Sequence, residues 1–262
     1  MQRPVPRQTG EGLARGIPAV LSVVSAFVIW EIYVRVSGIS PLMLPAPSRV
    51  LDQMIQNRIL LWDNTLPTLK ATFAGFALSL TVAFGLSIIL DFMPRVRRAL
   101  FPIFVVSQTL PLVAIAPLVV LWFGFDLTPK VLLVALVTFF PMLVALVDGY
   151  ASTDPEIEDL MRSMGAPRGQ IFRAARFPSA MPYFFAGLRI SITYAVVAAI
   201  FAEYVGARAG LGIVILNAKN SFRPDIVLAA VVISSLLTLI LFAATALLQR
   251  AVLRWRDVEG HQ

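Results

Sequence analysis

Side chains able to do chemistry are scarce in this chain, and their placement limits what chemistry is open to it. Cysteine is absent, and histidine occurs once, as His261 in the last two residues. Thiolate nucleophiles, disulfides and Cys-ligated metals are therefore unavailable, and a lone terminal His does not make a metal site. The one dense acidic cluster is Asp154, Glu156, Glu158 and Asp159, in the stretch TDPEIEDLMRSMGAP (153–167). Paired carboxylates can serve acid–base catalysis. At this spacing they instead fall in the first turns of a helix, where negative charge answers the positive helix end. No catalytic residue is assigned. The chain also has no G-x-x-x-x-G-K-[ST] stretch, so it cannot cradle nucleotide phosphates by the P-loop device.

The element that carries this cluster reads as a short displayed helix over 155–164. Asp154 can cap it, with Pro155 in the first helical position. Alternatively Thr153 caps it, with Glu156 completing a capping box. Ile157, Leu160, Met161 and Met164 follow at helical spacing and form one apolar face. Gly165 supplies a left-handed stop and Pro167 prevents continuation. A second, basic turn from Arg168 to Arg176 is expected to end at Pro178. The apolar face either packs on the chain's own bundle or serves as a knob for a partner, and methionine suits an irregular pocket.

The rest of the chain is written for a membrane. Of 262 residues, 58% are hydrophobic and 14% charged, with a mean hydropathy of +0.81. A soluble domain is about 45–50% apolar and about 25% charged, so soluble enzymes and disordered chains are excluded. Runs long enough to cross a bilayer as helix lie at 17–36, 66–90, 99–123, 130–149, 184–206 and 226–249. The third holds Pro102, Pro111 and Pro117 and is expected to be broken. The net charge of +7 then records topology rather than nucleic-acid binding. Fourteen of the 22 Lys and Arg fall on one side of these spans, which places both termini in the cytoplasm. The loop at 150–183 shares that side.

Between the spans, Ala71, Gly75, Ser79, Ala83 and Ser87 recur every fourth residue, a stripe suited to close helix contact within the chain or between subunits. Gln108 and Thr109 in the third span, and Ser191 and Tyr194 in the fifth, either glue helices or line a substrate path. Glu203 joins them as a path candidate, although an acid so near the interface can simply reach to water. Val50, Leu51, Met54 and Ile55 share a face, which predicts a short interfacial helix.

The loop resembles the cytoplasmic loop of ABC importer permeases, whose signature runs EAA, three residues, Gly, nine residues, Ile-x-Leu-Pro. Here Asp159-Leu160-Met161 stands for the triplet, Gly165 and Pro178 hold their places, and Ala175-Arg176-Phe177 replaces Ile-x-Leu. From about Leu66 to Trp255 the chain is similar to the nitrate/sulfonate/taurine branch of these permeases. The landmarks are TLPLVAIAPLVVLWFG (109–124), FFPMLVALVDG (139–149), PSAMPYFFAGLR (178–189) and AEYVGARAGLG (202–212). AEYVGARAGLG and NSFR (220–223) further resemble permeases for thiamine-pyrimidine precursors and riboflavin.

That resemblance implies an all-α, six-helix type I ABC importer permease (MetI-like) fold. It implies a 1–15 cytoplasmic tail, a single permease domain over 16–255 and a 256–262 C-terminal tail. It also implies two separate ATP-binding subunits holding ATP and Mg, with no cofactor on this chain. A second permease copy and an extracytoplasmic binding protein complete the assembly, which imports a small organic nutrient such as a sulfonate, vitamin or pyrimidine precursor. Glu156, Ile157, Asp159, Leu160, Met161, Met164, Gly165 and Pro178 become the ATPase-coupling residues, and Gly206, Gly210 and Gly212 an outer-gate segment. A secondary carrier would instead be expected to show inverted repeats or buried ion-coupling groups. An integral-membrane enzyme would need a His, Asp or Glu cluster near the interface.

Overall fold

The computed structural model describes residues 11–253. Residues 1–10 of the expected N-terminal tail, the expected C-terminal tail, and with them Arg3, Arg7, Arg254, Arg256 and His261, lie outside the described residues. Within them every regular element is helical: α1 (Glu11–Ser37), α2 (Pro47–Gln56), α3 (Arg58–Phe92), α4 (Pro94–Thr109), α5 (Leu112–Phe123), α6 (Leu127–Ala151), α7 (Pro155–Ser163) and α8 (Arg168–Ile171). A π-helical turn (Phe172–Arg176) leads from α8 into α9 (Phe177–Gly206), followed by α10 (Leu211–Asn220) and α11 (Pro224–Val252).

Among the described residues five helices are long and apolar enough to cross a membrane, and α4 and α5, bent by 97° at the break between them, pass the same test only as a pair. The bend falls at one of the three prolines. Leu110 is driven extended by the proline that follows it, whereas Pro102 and Pro117 stay inside helices. Pro111 has no N–H to return to the Ser107 carbonyl, and the Ser107 and Thr109 hydroxyls donate within their own helix to the carbonyls of Phe104 and Val106. The second span begins at Arg58, two turns earlier than its hydropathy suggests, because Leu61 is buried against Leu211, Val214 and Ile226. The interfacial helix forms as α2, but it turns Val50 inward and leaves Leu51 and Ile55 exposed.

The centre of the molecule is α6, packed most extensively against α9 and next against α3. The small-residue stripe of α3 is wholly buried and faces α6: a Cβ on Gly75 would lie 2.5 Å from Val134 Cβ. Of its two readings, packing within the chain is the one observed. On α9, a Cβ on Gly187 would lie 2.5 Å from Ala145 Cβ. In contrast, α1 touches chiefly α2 and exposes Val20, Leu21, Phe27, Ile29 and Val36. It is tied by Glu31, whose carboxylate accepts from the Ser48 backbone and hydroxyl in the first turn of α2.

Gly75→Leu is expected to lower the thermal stability of the purified protein by about 1–3 kcal/mol, through overpacking of the α3–α6 seam. Gly85→Leu on the same helix, where a Cβ meets nothing within 4 Å, is expected to leave it unchanged. Thermal unfolding followed by fluorescence checks both.

Candidate functional site

The helix α7 forms where the sequence places it. Asp154 is extended and its carboxylate accepts from the Glu156 N–H at 2.9 Å, with Pro155 next. The Thr153 hydroxyl bonds the Tyr150 carbonyl instead, so the capping-box alternative is not formed. At the other end Gly165 adopts φ +80. The Gly165 N–H donates to Arg162 O and the Ala166 N–H to Met161 O, closing the helix.

Its orientation is the reverse of an amphipathic helix lying on its own core. Ile157, Leu160 and Met164 are 49%, 61% and 78% exposed. Met161 is half-buried, and Glu156 and Asp159 face solvent. The residue turned inward is Glu158, 8% exposed. Its two oxygens accept from Arg176 Nε and Nη2 at 2.7 and 2.9 Å, and Arg162 adds a contact at 3.1 Å. Arg176 also donates to Asp91 at 2.7 Å, at the end of α3. The carboxylates and the guanidinium, all sheltered, form bidentate, charge-assisted bonds, and they hold α7 by its polar side so that its apolar side stays uncovered. The hydropathy pattern missed Glu158, Arg176 and Asp91. The local signal was weak, since Glu158 flanks the apolar face while Asp159, opposite that face, stays exposed.

Pro178 does not end the basic turn, contrary to the sequence expectation. Helix continues from α8 through the π turn into α9, with Pro178 in the first turn of α9. A proline ring clashes with the carbonyl four residues earlier, and the widened turn just upstream accommodates it.

The substrate-path candidates separate. Gln108 and Tyr194 line one cavity of about 280 Å³ with Ser107, Leu136 and Val197, and Gln108 Nε2 reaches the Leu136 carbonyl at 3.3 Å. Thr109 is exposed and its hydroxyl donates to the Val106 carbonyl of its own helix at 2.8 Å. Ser191 is buried and donates to the Thr138 carbonyl at 3.0 Å, joining α9 to α6. Glu203 does not reach to water, and that reading is corrected: the residue is 0% exposed. It accepts from the Thr68 hydroxyl at 2.9 Å and the Gly212 N–H at 3.0 Å, with Lys130 Nζ at 4.0 Å. The cause is the segment after α9, which folds back over the carboxylate. Lys130 holds the Ala209 carbonyl at 2.9 Å, and a Cβ on Gly210 would overlap the Glu203 carboxylate itself. Glu203 therefore pins an irregular segment at the end of the bundle opposite α7, and is not among the residues lining the Gln108–Tyr194 cavity.

Residues 75–254 match the model of the family described as binding-protein-dependent transport system inner membrane component. The chain belongs to this family. It is therefore the membrane-spanning permease subunit of an ABC importer, a multi-pass inner-membrane protein, and the secondary-carrier and membrane-enzyme readings fall away. The permease is similar to the formylaminopyrimidine transport permease protein ThiX of Halalkalibacterium halodurans, 40% identical over 87% of this chain and 92% of that one. It is 37% identical to the riboflavin transport system permease protein RibX of Chloroflexus aurantiacus, over 95% and 92% of the two chains. The taurine transport system permease protein TauC of Escherichia coli is 30% identical over 87% and 85%. In fold it matches a chain of the MetNI methionine ABC transporter in inward-facing conformations. The TM-score is 0.66 and the identity 18%, over 75% of this chain and 98% of that one.

Removing the Arg176 side chain leaves two sheltered carboxylates without their shared donor, at a cost of about 1–3 kcal/mol. Arg176→Ala is expected to speed hydrogen exchange across 155–163 while leaving exchange in α6 unchanged. Exchange measured by mass spectrometry on the purified permease checks this.

Proposed function

We propose that α7 is the element through which two separate ATP-binding subunits, which hold ATP and Mg, drive this permease. The observation that carries the reading is the uncovered face of Ile157, Leu160 and Met164 on a helix fixed from behind by Glu158 and Arg176. An apolar face held outward at the surface is what a partner groove requires. Glu156, Asp159, Met161 and Gly165 complete the coupling surface, and Pro178 sets the start of the membrane helix behind it. Both termini and α7 lie in the cytoplasm on this reading, in keeping with the excess of Lys and Arg on that side.

A second copy of the permease completes the pore. Tyr194 and Val197 of α9 are exposed beside the cavity that Gln108 shares, so the path from Gln108 to Tyr194 has one wall here and needs another. An extracytoplasmic binding protein delivers the substrate at the opposite end. The substrate is a small heteroaromatic vitamin or vitamin precursor, by similarity to the formylaminopyrimidine and riboflavin permeases, whose identities exceed those of the sulfonate and taurine permeases. An amide and a phenol at the cavity suit such a ring, by hydrogen bonding and stacking.

Leu160→Asp and Gly165→Pro are expected to leave membrane insertion intact and abolish ATP-dependent uptake, either by losing the ATPase subunits or by leaving hydrolysis uncoupled. Uptake and ATP hydrolysis in proteoliposomes check this, and normal uptake by both variants would sink the reading. Gln108→Ala and Tyr194→Ala are expected to reduce uptake about tenfold while the ATPase subunits still co-purify. Mass spectrometry of ligand carried by the partner binding protein tests the substrate class directly.

A further inference from the structure

The turn after α10 departs from the usual chemistry of such turns. The Arg223 N–H donates to Ala218 O at 2.8 Å and the Phe222 N–H to Lys219 O at 3.1 Å. These are the paired bonds of a helix stop whose closing residue is left-handed, a place usually taken by glycine. Gly165 takes it after α7. After α10 it is taken by Phe222, at φ +52, the one non-glycine residue with positive φ among the described residues. That region costs an L-residue about 1–2 kcal/mol, and a bulky side chain is an outlier there. Nor does the ring recover this by packing, for Phe222 is 78% exposed. Strain held at a residue whose side chain faces water points to a role outside the chain.

The surroundings state the chemistry of what it meets. Arg208 is exposed and has no ion-pair partner among the described residues. Arg223 is anchored by Gln53 at 2.6 Å, and it shares the buried carboxylate of Asp225 with Arg49. Arg208, Arg223, Asn64, Asn217 and Ser221 line a cavity of about 380 Å³, whose wall includes both chain neighbours of Phe222. The site is thus an exposed aromatic beside a pocket with an unpaired guanidinium at its rim. Aromatic and arginine side chains carry most of the energy of protein interfaces, and charge complementarity sets their register and rate.

We propose that Phe222, Arg208 and Arg223 form the docking hot spot for the extracytoplasmic binding protein. The ring anchors in an apolar pocket of that protein, and one of its carboxylates enters the cavity between the guanidiniums. The proposal rests on the reading above that this end of the bundle faces outward.

The test uses the complete complex, permease with its ATPase subunits, in nanodiscs, and measures binding of the purified binding protein at low and high salt. Phe222→Gly relieves the turn, so thermal stability is expected to hold or rise, while binding weakens about tenfold or more. Arg208→Glu is expected to weaken binding at low salt and flatten its salt dependence. A purely structural Phe222 gives the stability change with binding unaltered. A ring that instead sits among lipid headgroups gives altered stability in lipid but not in detergent, again with binding unaltered. Either result overturns the proposal. A wild-type complex that binds no extracytoplasmic protein overturns the import reading along with it, so the two failures are distinguishable.

Discussion

Close approach of backbones between α3, α6 and α9 is the constraint on which the rest of this permease depends. In hydrocarbon there is no hydrophobic force to gather helices, since lipid tails are as apolar as leucine. Dispersion and hydrogen bonds must do it instead. The chain meets this with Gly75 against Val134, Gly149 against Ala180 and Gly187 against Ala145, where even one added carbon has no room. Elements without such seams, α1 above all, are left with their large side chains outward.

The same three helices are closed at both ends by buried or half-buried carboxylates, and each closure ties α3 to α9. At one end Asp91 of α3 meets Arg176, immediately before α9, together with Glu158 of α7. At the other end Thr68 of α3 meets Glu203 of α9, with Lys130 of α6 and the glycine segment after α9 drawn in. Low dielectric strengthens these bonds and penalises any member left unpaired. Through Arg176, α7 is thus joined directly to the ends of two long helices, and not only through its loops.

What could be read from the sequence follows the range of the interaction. Span positions depend on local hydropathy, and the α7 start and stop depend on neighbours within a turn, so Asp154, Pro155 and Gly165 were legible. The bend at Leu110 was legible as one of three proline sites. Which of the three breaks the span is not written in the proline itself, since Pro102 and Pro117 sit inside helices. Glu203 was misread because the glycine segment that closes over it is held in place by Thr68, 135 residues away, as well as by Lys130, and Asp91 was missed because Arg176 lies 85 residues away. A burial that depends on such distant partners leaves no mark in a local pattern.

The π turn at Phe172–Arg176 has a consequence for how the loop is aimed. A turn of this kind carries one residue more than an α turn, and one residue in a helix corresponds to about 100° of rotation about its axis. The turn therefore acts as a phase setting between the membrane helix and everything upstream of it. Loss of a single residue there would turn everything upstream by about 100° and part Glu158 from Arg176, and it would disturb the packing of Phe172 on Tyr150 and Phe92. The bearing of the exposed face is thus set jointly, by the phase of this turn and by the carboxylates of two other helices that its last residue holds.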